Sequence, residues 1–212
     1  MQIKLNKQLD KQVYLDFREG FAGGVDFGKK ILRDHPGINF QNYEQYIDDF
    51  YLQHNDELKN VLSETVKCFE DVRYILFNEL SKYFNHDHNN DNYVCYLSIF
   101  DCNPRYIETK CFQVYYRRPF HLRKEVIAHE LTHFAFYDFC YGIGLKDSKK
   151  LWELSEIFNV LFLNIPSIQK AIGAEELLFY PDLKEKLENI RKIWNIEIPA
   201  NDFIMKSLDL LN

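Results

Sequence analysis

The spacing of apolar residues along the chain changes its period twice. Between residues 38 and 84, apolar residues recur at intervals of three and four, which predicts helices. Residues 93–100 and 111–118 are instead rich in Val, Ile, Tyr and Phe, a composition that favours β-strands. From Pro119 onwards, the helical spacing returns. This order of helices, a small sheet and further helices predicts an α+β fold that is mostly helical.

The segments between these elements are rich in turn-forming residues. The polar stretch 85–92 predicts a loop, and Asn103-Pro104 predicts a turn between the two strands, which we expect to form a small antiparallel sheet. Pro181 is suited to an early helical position and predicts a helix that runs to about Trp194.

The helix predicted after the sheet contains the sequence HELTH at residues 129–133. Positions i and i+4 lie one turn apart on the same face of a helix, so the imidazoles of His129 and His133 can converge on one cation. Glu130 lies one residue round the helix from His129. Its carboxylate can therefore act as a general base on a water at that cation without binding the cation itself.

The residues around HELTH place the motif on a buried helix. An apolar face surrounds it, and no proline occurs from Glu125 to Cys140. Gly142 and Gly144 follow as signals for the end of the helix. Buried imidazoles and carboxylates need partners, and a bound metal satisfies them together. The alternative is a core without metal, in which the same side chains pair through hydrogen bonds.

A catalytic zinc site usually has three protein ligands, and the next predicted helix offers two carboxylates for the third. Residues 149–165 are apolar almost all round, except for a polar stripe that contains Glu153, Glu156 and Asn159. Glu156 lies in the middle of this stripe, whereas Glu153 is closer to the lysines of the first turn, where a solvated carboxylate is stable. Glu156 is therefore favoured as the ligand. Glu153 is the alternative, and whichever does not bind the metal could orient a ligating His.

In these segments the chain resembles the gluzincins, metallopeptidases with HExxH on one helix and a Glu ligand on the next. The resemblance covers roughly residues 112–165, and HELTH matches the thermolysin-like form of the motif at all five positions. It implies that His129 and His133 bind Zn²⁺ and that Glu130 is the catalytic base. For the third ligand it leaves two choices, because Glu153 has the thermolysin-like spacing, whereas the stretch SEIFN around Glu156 resembles the SExxN of small gluzincin-like proteins.

The resemblance also implies a fold and a function. The expected fold is a single domain over residues 1–212, with a helical part over 1–92 and a minimal zincin-like core over 93–212. The expected function is zinc-dependent hydrolysis of peptide bonds in a peptide or protein substrate. Gluzincins often use a His or Tyr after the Glu helix as the oxyanion donor, which makes Tyr180 the candidate, with His121, Tyr137 and Tyr141 behind it. The alternative function is a catalytically silent regulatory or interaction module with bound zinc.

In zincin folds a sheet precedes the active-site helix, and its edge strand can pair with an extended peptide. We therefore expect the strand predicted over residues 111–118 to border the cleft.

Composition and charge restrict the expected cellular compartment and the expected partners of the protein. The net charge of −6 argues against a nucleic-acid binder. The first residues contain no apolar run, and no segment is long enough to span a membrane, so neither a signal peptide nor a membrane partner is expected. Five cysteines at irregular spacing, with no CxxC, are typical of reduced thiols in a cytoplasmic protein.

Three further patterns are weaker. Residues 23–30 have the spacing GxxxxGK but end in Lys where a P-loop needs Ser or Thr, so no nucleotide site is expected. The loop 86–92 could bind a cation but lacks the central Gly and the closing Glu of an EF-hand, and a solvated linker is favoured. Four basic residues near the predicted helix start could recognise a substrate anion, although a solvated loop is favoured. These are Arg117, Arg118, Arg123 and Lys124.

Overall fold

A computed structural model describes residues 1–22 and 25–211, and these residues are mostly helical. The helices are α1 (Lys7–Phe17), α2 (Phe27–Asp34), α3 (Tyr43–Gln53), α4 (Asn55–Phe84), α5 (Phe120–Gly142), α6 (Lys149–Leu163), α7 (Pro166–Ile172), α8 (Lys184–Arg191) and α9 (Ala200–Leu210). The strands are β1 (Gln2–Leu5), β2 (Phe21–Ala22), β3 (Val25–Asp26), β4 (Val94–Ser98), β5 (Arg105–Tyr106) and β6 (Cys111–Tyr115). The prediction of a mostly helical α+β fold is confirmed.

The main sheet is mixed, with strand order β1-β4-β6-β5. β1 and β6 both run parallel to β4, and only β5 is antiparallel to its neighbour β6. The predicted antiparallel pairing of the two long strands was therefore wrong. The connection over residues 99–110 is long enough for the chain to cross over, and it contains β5, which pairs on the far side of β6.

β6 is an inner strand of this sheet, although we expected it to border a cleft. β4 pairs with its full length, and β5 pairs with Cys111 and Phe112 on the other side. The next backbone donor on that side, the N–H of Gln113, bonds to the carbonyl of Pro104 at 3.0 Å. β6 therefore does not offer the open edge that an extended peptide needs.

Local signals place the ends of the long helices. α5 ends in a Schellman motif, in which Gly144 has φ of +85° and the N–H of Leu145 bonds to the carbonyl of Cys140 at 3.0 Å. The helical prediction for residues 38–84 holds for α3 and α4, which are separated at His54. Pro181 opens a 3-10 turn that leads into α8, and α8 ends at Arg191 rather than near Trp194.

Contacts divide the chain into two compact units. Unit 1 contains Met1–Phe69 and Asn92–Arg123, and unit 2 contains Glu70–Asp91 and Lys124–Asn212. Each unit combines a segment from before residue 92 with a segment from after it, so the sequence division at this residue does not coincide with the units. The single-domain assignment stays a prediction. No helix along the described chain has the length and hydrophobicity needed to cross a bilayer.

The core of unit 1 contains a buried carboxylate, that of Asp10 in α1, with no solvent exposure. Four groups donate hydrogen bonds to it: the hydroxyls of Ser98 and Tyr51 at 2.6 and 2.7 Å, the N–H of Ile99 at 3.2 Å and the amide of Gln113 at 3.3 Å. Asp10 thereby ties α1 to α3 and to the two inner strands of the sheet.

The core of unit 2 is built around α6, in which every residue from Glu153 to Leu163 is buried. The rings of Phe158 and Phe162 in this helix are stacked at a centroid distance of 5.2 Å. Phe158 also contacts rings from α4, α5 and α9 and from the segment between α8 and α9. These are Tyr83, Phe84, Phe136, Trp194 and Phe203.

The buried carboxylate of unit 1 predicts a pH dependence of stability. Burial is the largest influence and outweighs the four hydrogen bonds, so the pKa of Asp10 rises from 3.8 to about 6. The folded protein therefore holds this proton more tightly than the unfolded chain does, and the stability this provides at low pH is lost as the pH rises from about 4 to about 6. A shift of this size corresponds to a loss of about 3 kcal/mol of stability over that pH range. Asp10→Asn has no carboxyl group at this position to titrate, so it should not show this loss.

The measurement is the free energy of unfolding by urea at several pH values. Asp16→Asn, at an exposed position of the same helix, is the control, and its free energy of unfolding should depend on pH as that of the wild type does. If the free energy of unfolding of Asp10→Asn fell with pH as steeply as that of the control, the raised pKa of Asp10 would not be its cause.

Candidate metal centre

Two imidazoles and one carboxylate converge between α5 and α6. The Nε2 atoms of His129 and His133, one turn apart on α5, lie 3.0 Å from each other. Glu156 on α6 approaches both, with its Oε2 at 3.7 Å from Nε2 of His129 and its Oε1 at 3.4 Å from Nε2 of His133. The structure thus brings together the three residues that the sequence predicted as metal ligands.

The spacing of these atoms fits a tetrahedral metal site. Zinc ligands at 2.0–2.1 Å in tetrahedral arrangement lie about 3.3 Å from one another. The observed separations of 3.0, 3.4 and 3.7 Å bracket that value. His133 is fully buried, and Glu156 is nearly so. His129, His133 and Glu156 are therefore close enough to bind a metal ion.

Glu153, the alternative third ligand, has a different partner. Its Oε2 accepts a hydrogen bond from the ammonium of Lys186 in α8 at 2.5 Å, and Lys149 lies 3.9 Å from its other oxygen. Glu153 is buried, so this ion pair supplies the compensating charge that its carboxylate needs. The geometry assigns Glu156, and not Glu153, to the group with the two imidazoles.

Glu176 is a further residue of the site that was not predicted from the sequence. Its Oε1 lies 2.8 Å from Nδ1 of His129. A carboxylate at this distance accepts the Nδ1 proton, which leaves Nε2 as the ring nitrogen that faces Glu156 and His133. The side chain of Asn164 holds the backbone of Glu176, since it donates to the Glu176 carbonyl at 2.8 Å and accepts from the Glu176 N–H at 3.0 Å.

The electrostatic environment of His129 is that of a cation site. Burial is the largest single influence and lowers its pKa. The hydrogen bond to Glu176 and the charges of Glu176, Glu130 and Glu156 act in the opposite direction, and together they raise the pKa to about 9. The charges of three carboxylates thus act on the imidazole of His129 and favour positive charge at this position.

Glu130 lies beside this group without belonging to it. It is buried, and its charge acts on the imidazole of His129. Its carboxylate is outside the three-residue cluster of close ligand atoms. This is the placement that the helical geometry predicts for a residue one position from a ligand.

Polar contacts fix the register between α5 and α6. The side-chain amide of Asn159 donates to the backbone carbonyl of His129 at 3.1 Å. The ring of Tyr137 stacks on His133 at 6.3 Å, and the Tyr137 hydroxyl lies 3.2 Å from the hydroxyl of Ser155. Asn159, which was noted in the polar stripe, is thus a positioning residue for a ligand-bearing helix.

The candidates for the oxyanion donor lie in different surroundings. The ring of Tyr180 contacts the rings of Trp152 at 4.9 Å and Phe179 at 5.0 Å. The hydroxyl of Tyr141 donates to Asp147, and His121 is exposed in the first turn of α5. The role of Tyr180 as oxyanion donor stays a prediction.

The basic cluster is engaged in structural contacts. Arg118 pairs with Asp101 at 3.0 Å and Lys124 with Asp71 at 2.7 Å. Arg123 is buried and bonds to Thr65, Glu64 and the carbonyl of Val61, and Arg117 lies over the ring of Tyr116. The structure thus replaces the expected solvated loop with ion pairs and a buried arginine.

The GxxxxGK spacing falls partly outside the described residues, because Gly23 and Gly24 are not among them. Gly28 is the second residue of α2, and a Cβ there would lie 2.2 Å from the carbonyl oxygen of Arg18. This close approach of two backbone segments explains the need for Gly at this position. The five cysteines form no disulfide.

Comparisons of the chain with models of protein families, with curated protein sequences and with solved structures find no match. The interpretation of the site therefore rests on its geometry and its chemistry.

The choice between the two glutamates predicts different effects on metal binding. Glu156→Ala should lower the affinity for Zn²⁺ by more than about 100-fold, the upper range for loss of an outer-shell residue. Glu153→Ala should leave it nearly unchanged, because this carboxylate pairs with Lys186. Competition with a chromophoric chelator measures both affinities. A larger loss in Glu153→Ala than in Glu156→Ala would reverse the assignment.

The contact between Glu176 and His129 predicts an outer-shell effect. Glu176→Gln keeps the size of the side chain but weakens its hold on the Nδ1 proton, so the affinity for Zn²⁺ should fall by about 10- to 100-fold. Glu175→Gln, at the exposed neighbouring position, is the matched control. The same chelator competition applies, and equal affinities in the two variants would show that Glu176 does not support His129.

Proposed function

We propose that the chain is a zinc-dependent metallopeptidase. The observation that carries the proposal is the convergence of His129, His133 and Glu156 next to a further carboxylate, Glu130, which stands outside the ligand group. Of the two buried carboxylates beside the ligands, Glu176 bonds to His129, whereas Glu130 lies on the helix of the two imidazoles, one residue from His129. Such a carboxylate is what metal-assisted hydrolysis requires as its base.

The donor set supports zinc as the metal. Two imidazole nitrogens and one carboxylate oxygen form a mixed N and O set of intermediate softness, which suits zinc better than calcium or magnesium. Three protein ligands correspond to a catalytic rather than a structural zinc site, because structural sites usually have four. Zn²⁺ held there would supply a Lewis acid that lowers the pKa of water and polarises a carbonyl.

The side chains of the chain itself divide the remaining work. Glu130 would accept a proton from the attacking water and deliver it to the leaving amine, the usual sequence for a carboxylate general base. Glu176 would hold His129 in one tautomer and orientation through the 2.8 Å contact to Nδ1. Tyr180 remains the proposed donor to the developing oxyanion.

Residues 173–180 supply the proposed contacts to the substrate. Within this segment Glu176 is buried against His129, whereas Leu177 and Phe179 are 68% and 60% exposed. His129 keeps 21% of its side chain exposed, unlike the fully buried His133. We therefore propose that a peptide reaches the site on the His129 side and that its apolar side chains contact Leu177 and Phe179.

The test is the variant Glu130→Gln, which keeps the shape of the side chain and removes the base. Metal content and melting temperature should stay at wild-type values, while cleavage of a mixed peptide pool should fall by about two orders of magnitude or more. Glu185→Gln, at an exposed position of α8, is the control and should cleave like the wild type.

Two outcomes would overturn the proposal. If Glu130→Gln cleaves at the wild-type rate, Glu130 is not the base. If zinc-loaded wild-type protein cleaves no peptide in broad pools, the chain is better described as a silent zinc-binding module.

A further inference from the structure

We propose that the segment after α4 forms a second site for a divalent transition metal, with His86, His88 and Asp91 as ligands. Each residue offers one ligand atom, and these atoms all lie within 4.8 Å of one another. Oδ2 of Asp91 lies 3.1 Å from Nδ1 of His88 and 3.6 Å from Nε2 of His86. These separations resemble those between ligands of a tetrahedral zinc site, which are about 3.3 Å.

The backbone around the three residues is held in place before any metal binds. Asn85 has φ of +52° and ends α4 in a Schellman motif, in which the N–H of His86 bonds to the carbonyl of Ser81 at 3.2 Å. The N–H of His88 bonds to the hydroxyl of Ser81, also at 3.2 Å. The carboxylate of Asp87 caps the next turn by accepting from the N–H of Asn89 at 3.0 Å. The backbone that carries both imidazoles is thus held by the end of one long helix and by the turn that follows it.

The exposure of the three side chains fits an ion that enters from solvent. His88 is 1% exposed and Asp91 15%, whereas His86 is 55% exposed. The buried pair forms the inner side of the site, and His86 can close it from outside. A site of this kind keeps open positions for water, because only three protein ligands are present.

The charges around the site favour a cation. Oδ2 of Asp91 lies close to both imidazoles, and Asp138 contributes a further negative charge to the surroundings of His88. Asp138 belongs to α5, so a carboxylate from a second helix also acts on this imidazole. Asp87 adds a third negative charge in the same segment.

The donor chemistry selects the class of metal. Two imidazoles and one carboxylate suit Zn²⁺, Ni²⁺, Co²⁺ or Cu²⁺, whereas Ca²⁺ and Mg²⁺ prefer oxygen ligands. The EF-hand, whose pattern this segment lacks, is a calcium motif that uses oxygen ligands. The absence of its Gly and Glu has no bearing on a site that uses imidazoles.

Metal binding at this site would stabilise unit 2. His88 contacts the ring of Phe84 at 6.3 Å, and Phe84 contacts Phe158 of the α6 core at 5.5 Å. An ion that holds His86, His88 and Asp91 together would fix the end of α4 against that core. It would also raise the melting temperature by mass action, because the unfolded chain does not form the site.

The experiment counts bound Ni²⁺ or Zn²⁺ per chain after the protein has been freed of metal with a chelator. Wild-type protein should bind two equivalents, and His86→Ala should bind one at the same free-metal concentration. His86 is more than half exposed, so its removal leaves the packing intact. Asp91→Asn, a variant of the same size, should also bind one, and the control His121→Ala should bind two.

A variant that lacks the first site isolates the second. His133→Ala should retain one equivalent, and adding His86→Ala should remove it. The rise in melting temperature that Ni²⁺ causes in His133→Ala should disappear in the double variant. The proposal is overturned if His86→Ala binds as much metal as the wild type, or if His133→Ala binds none. Neither result bears on the proposed peptidase, which depends on the other site.

Discussion

The burial of α6 is the constraint on which the candidate site depends. From Glu153 to Leu163 every residue is buried, yet four of these side chains are polar. A buried polar group without a partner is costly, so each has to meet a complementary group from a neighbouring element. The partners are Lys186 for Glu153, Tyr137 and the Trp152 carbonyl for Ser155, the two imidazoles for Glu156, and the His129 carbonyl for Asn159.

These pairings also fix how α5 lies against α6. Asn159 holds the backbone of α5 at His129, and Ser155 holds Tyr137 two turns further along. Glu156 lies between these contacts in sequence, and its carboxylate oxygens lie 3.7 Å from Nε2 of His129 and 3.4 Å from Nε2 of His133. The convergence of three ligand atoms thus follows from helix packing, and the high negative charge around His129 comes with it. A bound cation would balance that charge.

Local patterns carried most of what the sequence could predict. The position of α5, its end near Gly144, and the choice of the three candidate ligands follow from helical spacing and capping, which involve residues within a few turns of each other. The preference for Glu156 was also local, since it came from the neighbours of each carboxylate in one helix. The structure adds a reason that is distant in sequence: Glu153 pairs with Lys186, 33 residues away, and therefore does not join the two imidazoles.

What the sequence could not show was non-local. β1 has only four residues, too few to display a period, and it pairs with a strand some 90 residues later. The parallel pairing of β4 and β6 was missed because a connection that contains a turn signal also fits a hairpin. Glu176 lies in a segment without helical or strand periodicity, 47 residues from the imidazole it contacts. In sequence, Glu176 only follows another acidic residue, Glu175, and precedes Leu177, a pattern that is common on any surface.

The residues of the candidate site are therefore held in place in two different ways, by packed helices and by an irregular segment. His129, His133 and Glu156 stand on two packed helices, so their mutual distances are fixed by the core of unit 2. Glu176 stands in an irregular segment, where Asn164 at the end of α6 donates to its carbonyl and accepts from its N–H. A change in that segment would alter the orientation of His129 and leave the other two ligands in place. Because Leu177 and Phe179 lie in the same segment, the residues proposed to contact substrate are joined through Glu176 to a metal ligand. Under the proposed function, a peptide that displaces this segment would therefore also change the environment of His129.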